Sequence, residues 1–185
     1  EMIREQFARK PALLDSNFRA LRLGHDHARA HFACPLPIRL ERMDATSEYI
    51  LIDGNTAAAL GCLYAGATVG AWYPITPATS LMEAFKEFCH RWRVTADGAK
   101  RFAILQAEDE LAAAGIVIGA GWAGARAFTN TSGPGISLMQ EFIGLAYYTD
   151  IPAVFFDIQR CGPATGMPTR TQQADLLSLA YASHG

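Results

Sequence analysis

The 185-residue chain is poor in charge, with Asp, Glu, Lys and Arg making up 18% of it against 50% hydrophobic residues. That balance excludes a disordered or heavily solvated chain and provides enough apolar surface for one domain core with a small attachment. Basic clusters are missing too: 16 Lys and Arg against 18 Asp and Glu give a formal charge of -2. Their scatter excludes a phosphate-backbone footprint, so no nucleic-acid partner is expected. Spanning a bilayer takes roughly 20 apolar residues, and the apolar stretch Leu111–Ala125 stops short at Arg126, so no membrane partner is expected either. The chain does not open with a charged segment followed by an apolar one, from which a cytoplasmic protein is expected, and Glu1 in place of an initiating Met leads to the expectation of an internal fragment.

Metal and nucleotide signatures are also scarce. Cys34, Cys62, Cys89 and Cys161 are spaced too widely and irregularly for a disulfide framework or for zinc or iron-sulfur ligation. His25, His27 and His31 tempt a metal reading because His27 and His31 share a helix face. With no HExxH and no accompanying Cys or carboxylate pattern, solvated or helix-packing histidines are favoured and no metal is expected. His184 stands beside the terminal Gly185, where the sequence gives it no readable context. Neither a Walker lysine nor a dinucleotide GxGxxG is present.

Residues 1–33 carry a helical apolar stripe that the CPLP stretch at 34–37 ends, since proline removes a helix donor and clashes with the preceding turn. The first 44 residues hold 8 of the 16 basic residues and little strand pattern, so residues 1–44 are expected to close a preceding module and supply a linker. From residue 45 onward the pattern becomes that of one α/β domain, C-terminally truncated, with a sheet covered on both faces. Strands are expected at 49–52, 69–72, 101–106, 126–130 and 152–157, and helices at 55–66, 78–91, 109–123, 135–148 and about 172–180.

Five segments fall at or near the proposed strand ends, where open α/β sheets place ligands. In the Tyr73–Pro77 turn, Pro74 and Pro77 stiffen the backbone around Thr76, although Thr76 or Thr79 serving only as a helix cap competes. Three successive acids, Glu108, Asp109 and Glu110, open a helix; capping explains one or two of them, and Glu110 could share a proton with a ligand's ring nitrogen if it points into an apolar cleft, whereas solvent exposure would leave it an ordinary acid. The Thr129–Gly135 bend lines a turn with hydroxyls and lacks a strong phosphate signal, so Gly133 and Gly135 serving turn geometry alone stays open. Arg160 could take up a carboxylate or pair with Asp157 or Asp175, and Cys161 reads as a buried thiol. The fifth segment, TGMPTR at 165–170, carries Thr165.

Together YPITPATS, QAEDELAAAGIVIGAGWAGARAFTNTSGPGISLMQE and DIQRCGPATGMPTRTQQADL resemble the pyrimidine-binding domain of 2-oxoacid:ferredoxin oxidoreductase alpha subunits. The likeness covers about residues 50–185 and is greatest to the 2-oxoglutarate branch; the N-terminal segment resembles the end of a gamma domain fused ahead of alpha. The resemblance implies a doubly wound thiamine-diphosphate-binding fold and oxidative decarboxylation of a 2-oxoacid. Two electrons would pass through an iron-sulfur cluster to ferredoxin, and the acyl group to coenzyme A. By motif position Glu110 resembles the glutamate that bonds the aminopyrimidine N1′ of thiamine diphosphate, Thr76 the substrate-side threonine, and Arg160 the arginine that meets the substrate carboxylate. Tyr73, Pro74 and Ile75 would flank the substrate from one turn, and Thr131, Ser132, Gly133 and Thr165 would line the rest of the cleft. Ala164 departs from the GPSTG common in 2-oxoglutarate members, which leaves the 2-oxoacid open.

A GDG segment with a magnesium-binding Asn is absent, and AlaAspGly at 96–98 lies on the wrong kind of segment. The resemblance therefore assigns magnesium, the diphosphate and the cluster to a beta subunit, implies a dimer of alpha-beta units, and makes the chain inert alone. The competing readings are a noncatalytic structural or regulatory subunit that keeps the fold, and a thiamine enzyme of nonredox chemistry.

Overall fold

A computed structural model describes residues 2–33, 37–160, 164–166, 169–170 and 172–183. The CPLP break through residue 36, Cys161 and His184 lie outside the described residues.

The chain divides into two compact units, Glu1–Ile50 and Leu51–Gly185. The first unit holds α1 (Met2–Gln6), a 3-10 turn (Pro11–Leu13) and α2 (Leu14–His31). The helical expectation for 1–33 is thus interrupted, and Pro11 sits at the start of the 3-10 turn, where its missing N–H costs least. On α2, His27 and His31 stack with ring centroids 4.2 Å apart, and His31 Nδ1 lies 2.9 Å from the His27 carbonyl.

The second unit contains α3 (Gly54–Tyr64), β1 (Val69–Trp72), α4 (Thr79–Trp92), β2 (Ala103–Gln106), α5 (Glu110–Trp122), β3 (Ala127–Thr131), α6 (Gly133–Tyr148), β4 (Val154–Asp157) and α7 (Leu176–Ala180). All four strands run parallel in the order β2-β1-β3-β4. Side-chain alternation along each strand sends residues to two cores. One gathers Phe128 with Leu81, Met82 and Phe85 of α4 and Ala59 and Cys62 of α3. The other gathers Ala71 and Ala127 with Ala113, Ala114 and Val117 of α5 and Met139 of α6. Central β3 is buried throughout, whereas Leu105 on β2 and Val154 on β4 are exposed, as edge strands leave them.

Two expectations are corrected. Residues 49–52 form no strand: they pair with no ladder among the described residues, and Leu51 is fully exposed. An apolar run without a neighbour to take its backbone groups does not make a strand. The last helix starts at Leu176 rather than near 172 and spans only Leu176–Ala180.

Among the described residues, no helix is long and apolar enough to cross a membrane.

Candidate functional site

The chain moves from β1 outward to β2 and then returns across β1 to β3. Loops after β1 and β3 therefore part at the carboxyl edge of the sheet, the crevice where open α/β sheets take ligands. Register places Trp72 beside Gln106 and Thr131 beside Asp157 at that edge. The turns that follow carry Thr76, Glu110, Ser132 and Arg160, so the structure brings the principal sequence-derived candidates to one edge.

The turn after β1 is held at three consecutive carbonyls. Arg160 Nη1 donates to the Thr76 carbonyl at 2.9 Å, Asn55 Nδ2 to the Pro77 carbonyl at 3.0 Å, and Asn130 Nδ2 to the Ala78 carbonyl at 2.6 Å. The donors come from the loop after β4, from α3 and from β3, so three elements fix the start of α4. Asn55 also donates to Ser80 Oγ at 2.8 Å. The Thr76–Pro77 peptide is cis. Thr76, Tyr73 and Pro74 are exposed and Ile75 is half-buried. Neither threonine caps the helix: the cap position is Ala78, with no side-chain hydrogen bond, and Thr79 Oγ1 donates back to the Ile75 carbonyl at 3.3 Å. Beside this turn lies an open cavity of about 420 Å³ lined by Trp72, Pro74, Thr79, Met82 and Gln106, among others.

The acidic run separates into distinct tasks. Asp109 caps α5 by accepting from Ala112 N at 2.7 Å, Glu108 is exposed, and Glu110 is 7% exposed at the first position of the helix. A carboxylate there gains from the helix dipole and from unpaired backbone donors nearby. Glu110 enters no side-chain hydrogen bond among the described residues, whereas its neighbour Asp109 does.

The Thr131–Gly135 bend is buried. Ser132 Oγ donates to the Ile158 carbonyl at 2.8 Å, tying the end of β3 to the segment after β4. Gly135 N and Ile136 N both return to the Ser132 carbonyl, which uses two of the donors that an anion would need. Neither Gly133 nor Gly135 has a positive φ; both are required for close approach. A Cβ on Gly133 would stand 2.7 Å from Asp175 Cγ and Oδ1. A Cβ on Gly135 would stand 2.8 Å from Glu110 Cγ and 2.9 Å from Thr131 Cβ, and would strike Thr131 Oγ1. The reading of these glycines as turn geometry alone is thereby replaced by one of packing.

Arg160 is 4% exposed, and its Nε has no hydrogen-bond partner among the described residues. It pairs with neither Asp157 nor Asp175 among the described residues; its one hydrogen bond is to Thr76. Both oxygens of Asp157, Oδ2 of Asp175 and Oε1 of Gln159 are also buried without partners among the described residues. Burial, and then the neighbouring Asp175 carboxylate, push the Asp157 acid up to about 6. Thr165 and Ala164 are exposed, and no described contact brings Thr165 to the other candidates. The AlaAspGly segment is a turn between the bridged residues Val94 and Lys100.

Asn55 carries no motif that marks it in sequence, its only signal being its place at the start of an Ala-rich helix. Asn130 lies inside the Thr129–Gly135 segment, where the hydroxyls and glycines draw the reading, and its signal is a carboxamide within the short strand AFTNT.

The cleft fits a pyrimidine-bearing cofactor in one observable respect: the glycine notch at 135 leaves room for a buried Glu110 side chain at the helix start. Residues 60–183 match the family model described as pyruvate flavodoxin/ferredoxin oxidoreductase, thiamine diphosphate-binding. The chain is 40% identical over 184 residues to subunit alpha of 2-oxoacid:ferredoxin oxidoreductase 1 from Aeropyrum pernix, covering 99% of this chain and 28% of that protein. It is 38% identical over 191 residues to the 2-oxoglutarate oxidoreductase subunit KorA of Mycobacterium tuberculosis, again covering 99% and 28%. A solved structure of the Magnetococcus marinus 2-oxoglutarate:ferredoxin oxidoreductase, with 2-oxoglutarate, coenzyme A and succinyl-CoA bound, superimposes with a TM-score of 0.75 at 34% identity. That match covers 99% of this chain and 31% of the other. The chain thus spans under a third of the length of these relatives, and it belongs to the thiamine-diphosphate-binding family of pyruvate flavodoxin/ferredoxin oxidoreductases.

Proposed function

We propose that this chain forms the pyrimidine side of the active site in a 2-oxoacid:ferredoxin oxidoreductase that converts 2-oxoglutarate to succinyl-CoA. The observation that carries the reading is Glu110, a buried acid at the first position of α5 on the carboxyl edge of a parallel sheet. Thiamine diphosphate, when bound, supplies the electron sink for decarboxylation, and the protein supplies orientation and proton control. Glu110 holds the proton shared with the pyrimidine N1′, a task for an acid placed within hydrogen-bond reach. Arg160 offers its Nε, which has no partner among the described residues, to the 2-oxoacid carboxylate while Nη1 keeps the Thr76 turn in place. Thr76, Tyr73, Pro74 and Ile75 form one side of the substrate cleft, and the bend at Thr131, Ser132 and Gly133 closes the other.

The rest of the site comes from a beta subunit carrying magnesium, the diphosphate contacts and an iron-sulfur cluster. Coenzyme A accepts the acyl group, ferredoxin accepts the electrons, and alpha-beta units pair in the cytoplasm. Residues 1–44 are the end of a gamma-like domain and its linker, and 45–185 the pyrimidine-binding domain. The choice of 2-oxoglutarate is supported by the 46% identity over 134 residues to a Methanocaldococcus jannaschii protein named 2-oxoglutarate synthase subunit KorA.

The test is Glu110→Gln in the full-length, partner-bound enzyme. Removing the acid is expected to slow 2-oxoglutarate-dependent ferredoxin reduction by about 100-fold or more, in the range of general acid-base contributions. Unchanged turnover would move the chain to a structural subunit. The isolated 185-residue chain is expected to be inactive.

A further inference from the structure

Two acidic side chains from different parts of the chain lodge in two notches on a single helical turn. Asp175, from the segment before α7, occupies the space that a side chain at Gly133 would need, and Glu110, from the start of α5, occupies part of the space at Gly135. Both glycines lie in the first turn of α6, and neither is required by its backbone conformation. Real Cβ atoms are not found within 3.0 Å of another heavy atom of this kind, so a side chain at 135 forces Glu110 or Thr131 to move. Thr131 is the last residue of the central strand and fully buried, with Asp157 opposite in register. Close-packed interiors transmit such a displacement rather than absorb it.

Resting on the reading of Glu110 given above, we infer that Gly135 is a positioning residue that sets where the Glu110 carboxylate stands toward the pyrimidine nitrogen. Glu110 itself starts a helix whose cap, Asp109, is already fixed by its bond to Ala112 N. The backbone of Glu110 is therefore anchored, and the freedom left to it is in its side-chain torsions, which the Gly135 notch restricts. Where residue 131 is cut back so that it no longer meets this Cβ, the contact at Glu110 Cγ is relieved by turning the Glu110 Cβ–Cγ bond, which carries the carboxylate with it. Small displacements of a proton-handling group cost large factors in rate, because the hydrogen bond must be short and aligned.

The experiment uses the full-length enzyme with its partner subunits and thiamine diphosphate. Two readouts are followed, cofactor affinity by titration and the rate of deuterium exchange at the thiazolium C2 of the bound cofactor. Gly135→Ala alone also meets Thr131 Oγ1 and Cβ, so the decisive variant is Gly135→Ala with Thr131→Gly, compared with Thr131→Gly. The pair differs in the Cβ that meets Glu110 Cγ, and Glu110→Gln gives the floor. The exchange rate of the double variant is expected to fall at least 10-fold below that of Thr131→Gly, toward the Glu110→Gln value, with cofactor affinity lowered in the same direction. A fall of less than 10-fold from Thr131→Gly, while Glu110→Gln is slow, would overturn the spacer role and leave the function standing. Normal exchange in Glu110→Gln would overturn the reading of Glu110 itself, and the spacer with it.

Discussion

Arg160 and Thr76 lie 84 residues apart in sequence and are joined by one hydrogen bond, from Nη1 to the Thr76 carbonyl at 2.9 Å. The guanidinium is buried, and its Nε meets no acceptor among the described residues. Its planar fork can serve the turn and a carboxylate at once, whereas an ammonium is a point charge with no fixed second direction. Arg160→Lys is therefore expected to raise KM for the 2-oxoacid by about 10-fold or more in the assembled enzyme, the cost of about 1.4 kcal/mol or more of lost binding. Steady-state kinetics check this; an unchanged KM would remove Arg160 from the substrate site.

Asn130 tests the clamp on the same turn without touching a proposed substrate contact. Its Nδ2 donates to the Ala78 carbonyl, and its Oδ1 is without a partner among the described residues. Asn130→Ala removes one orphaned group while creating another, for a cost of about 1–2 kcal/mol. Asn130→Asp sets a carboxylate oxygen against a carbonyl in a buried place, so it should cost more, about 3 kcal/mol or above at pH 7. Chemical denaturation of the two variants gives the order; equal losses would show that the hydrogen bond contributes little.

The parts of this fold that were legible in sequence are those in which a local pattern decides the outcome. Apolar runs such as AILQ at 103–106 and VFFD at 154–157, each followed by a polar turn, form parallel strands, and the order of the motifs set Thr76, Glu110 and Arg160 at one edge. What escaped was decided by partners distant in sequence. The run at 49–52 has the apolar content of a strand and no ladder to join. Asn55 and Asn130 matter because the Pro77 and Ala78 carbonyls fall opposite them, which no spacing encodes. The two glycines of α6 read as a turn because Glu110 and Asp175, which fill their notches, lie at least 25 positions away in the sequence.

Asp157 makes stability depend on pH. Burial, followed by the Asp175 carboxylate, raises its acid from the usual 3.8 to about 6, so the folded protein holds a proton that the unfolded chain has released. Its contribution is most favourable below about pH 4 and is lost as pH rises to about 6. For a fully buried acid this difference would be worth about 3 kcal/mol; Asp157 is only half-buried, and screening reduces it to about 1 kcal/mol. Asp157→Asn should therefore stabilise the protein by about that much at pH 7 and by little at pH 4, measured by denaturant melts at the two values. The opposite order would mean that Asp157 carries its charge at neutral pH with a partner.

Cys62 and Cys89 are buried free thiols. Burial pushes Cys62 up to about 11 and also raises Cys89, against the opposing charge of Arg93. Since the thiolate is the reactive form, both are expected to resist an alkylating reagent at pH 8 in the native protein and to react on unfolding. Peptide mass spectrometry after timed labelling reads this directly. Rapid native labelling of Cys62 would show that the α3 side of the core opens.

The most direct measurement is a structure of the full, partner-bound complex with thiamine diphosphate, magnesium and 2-oxoglutarate. The account predicts the Glu110 carboxylate within hydrogen-bond reach of the pyrimidine N1′, lodged against Gly135, with Arg160 beside the 2-oxoacid carboxylate. A cofactor bound away from this edge, with Glu110 facing an empty cleft, would contradict it.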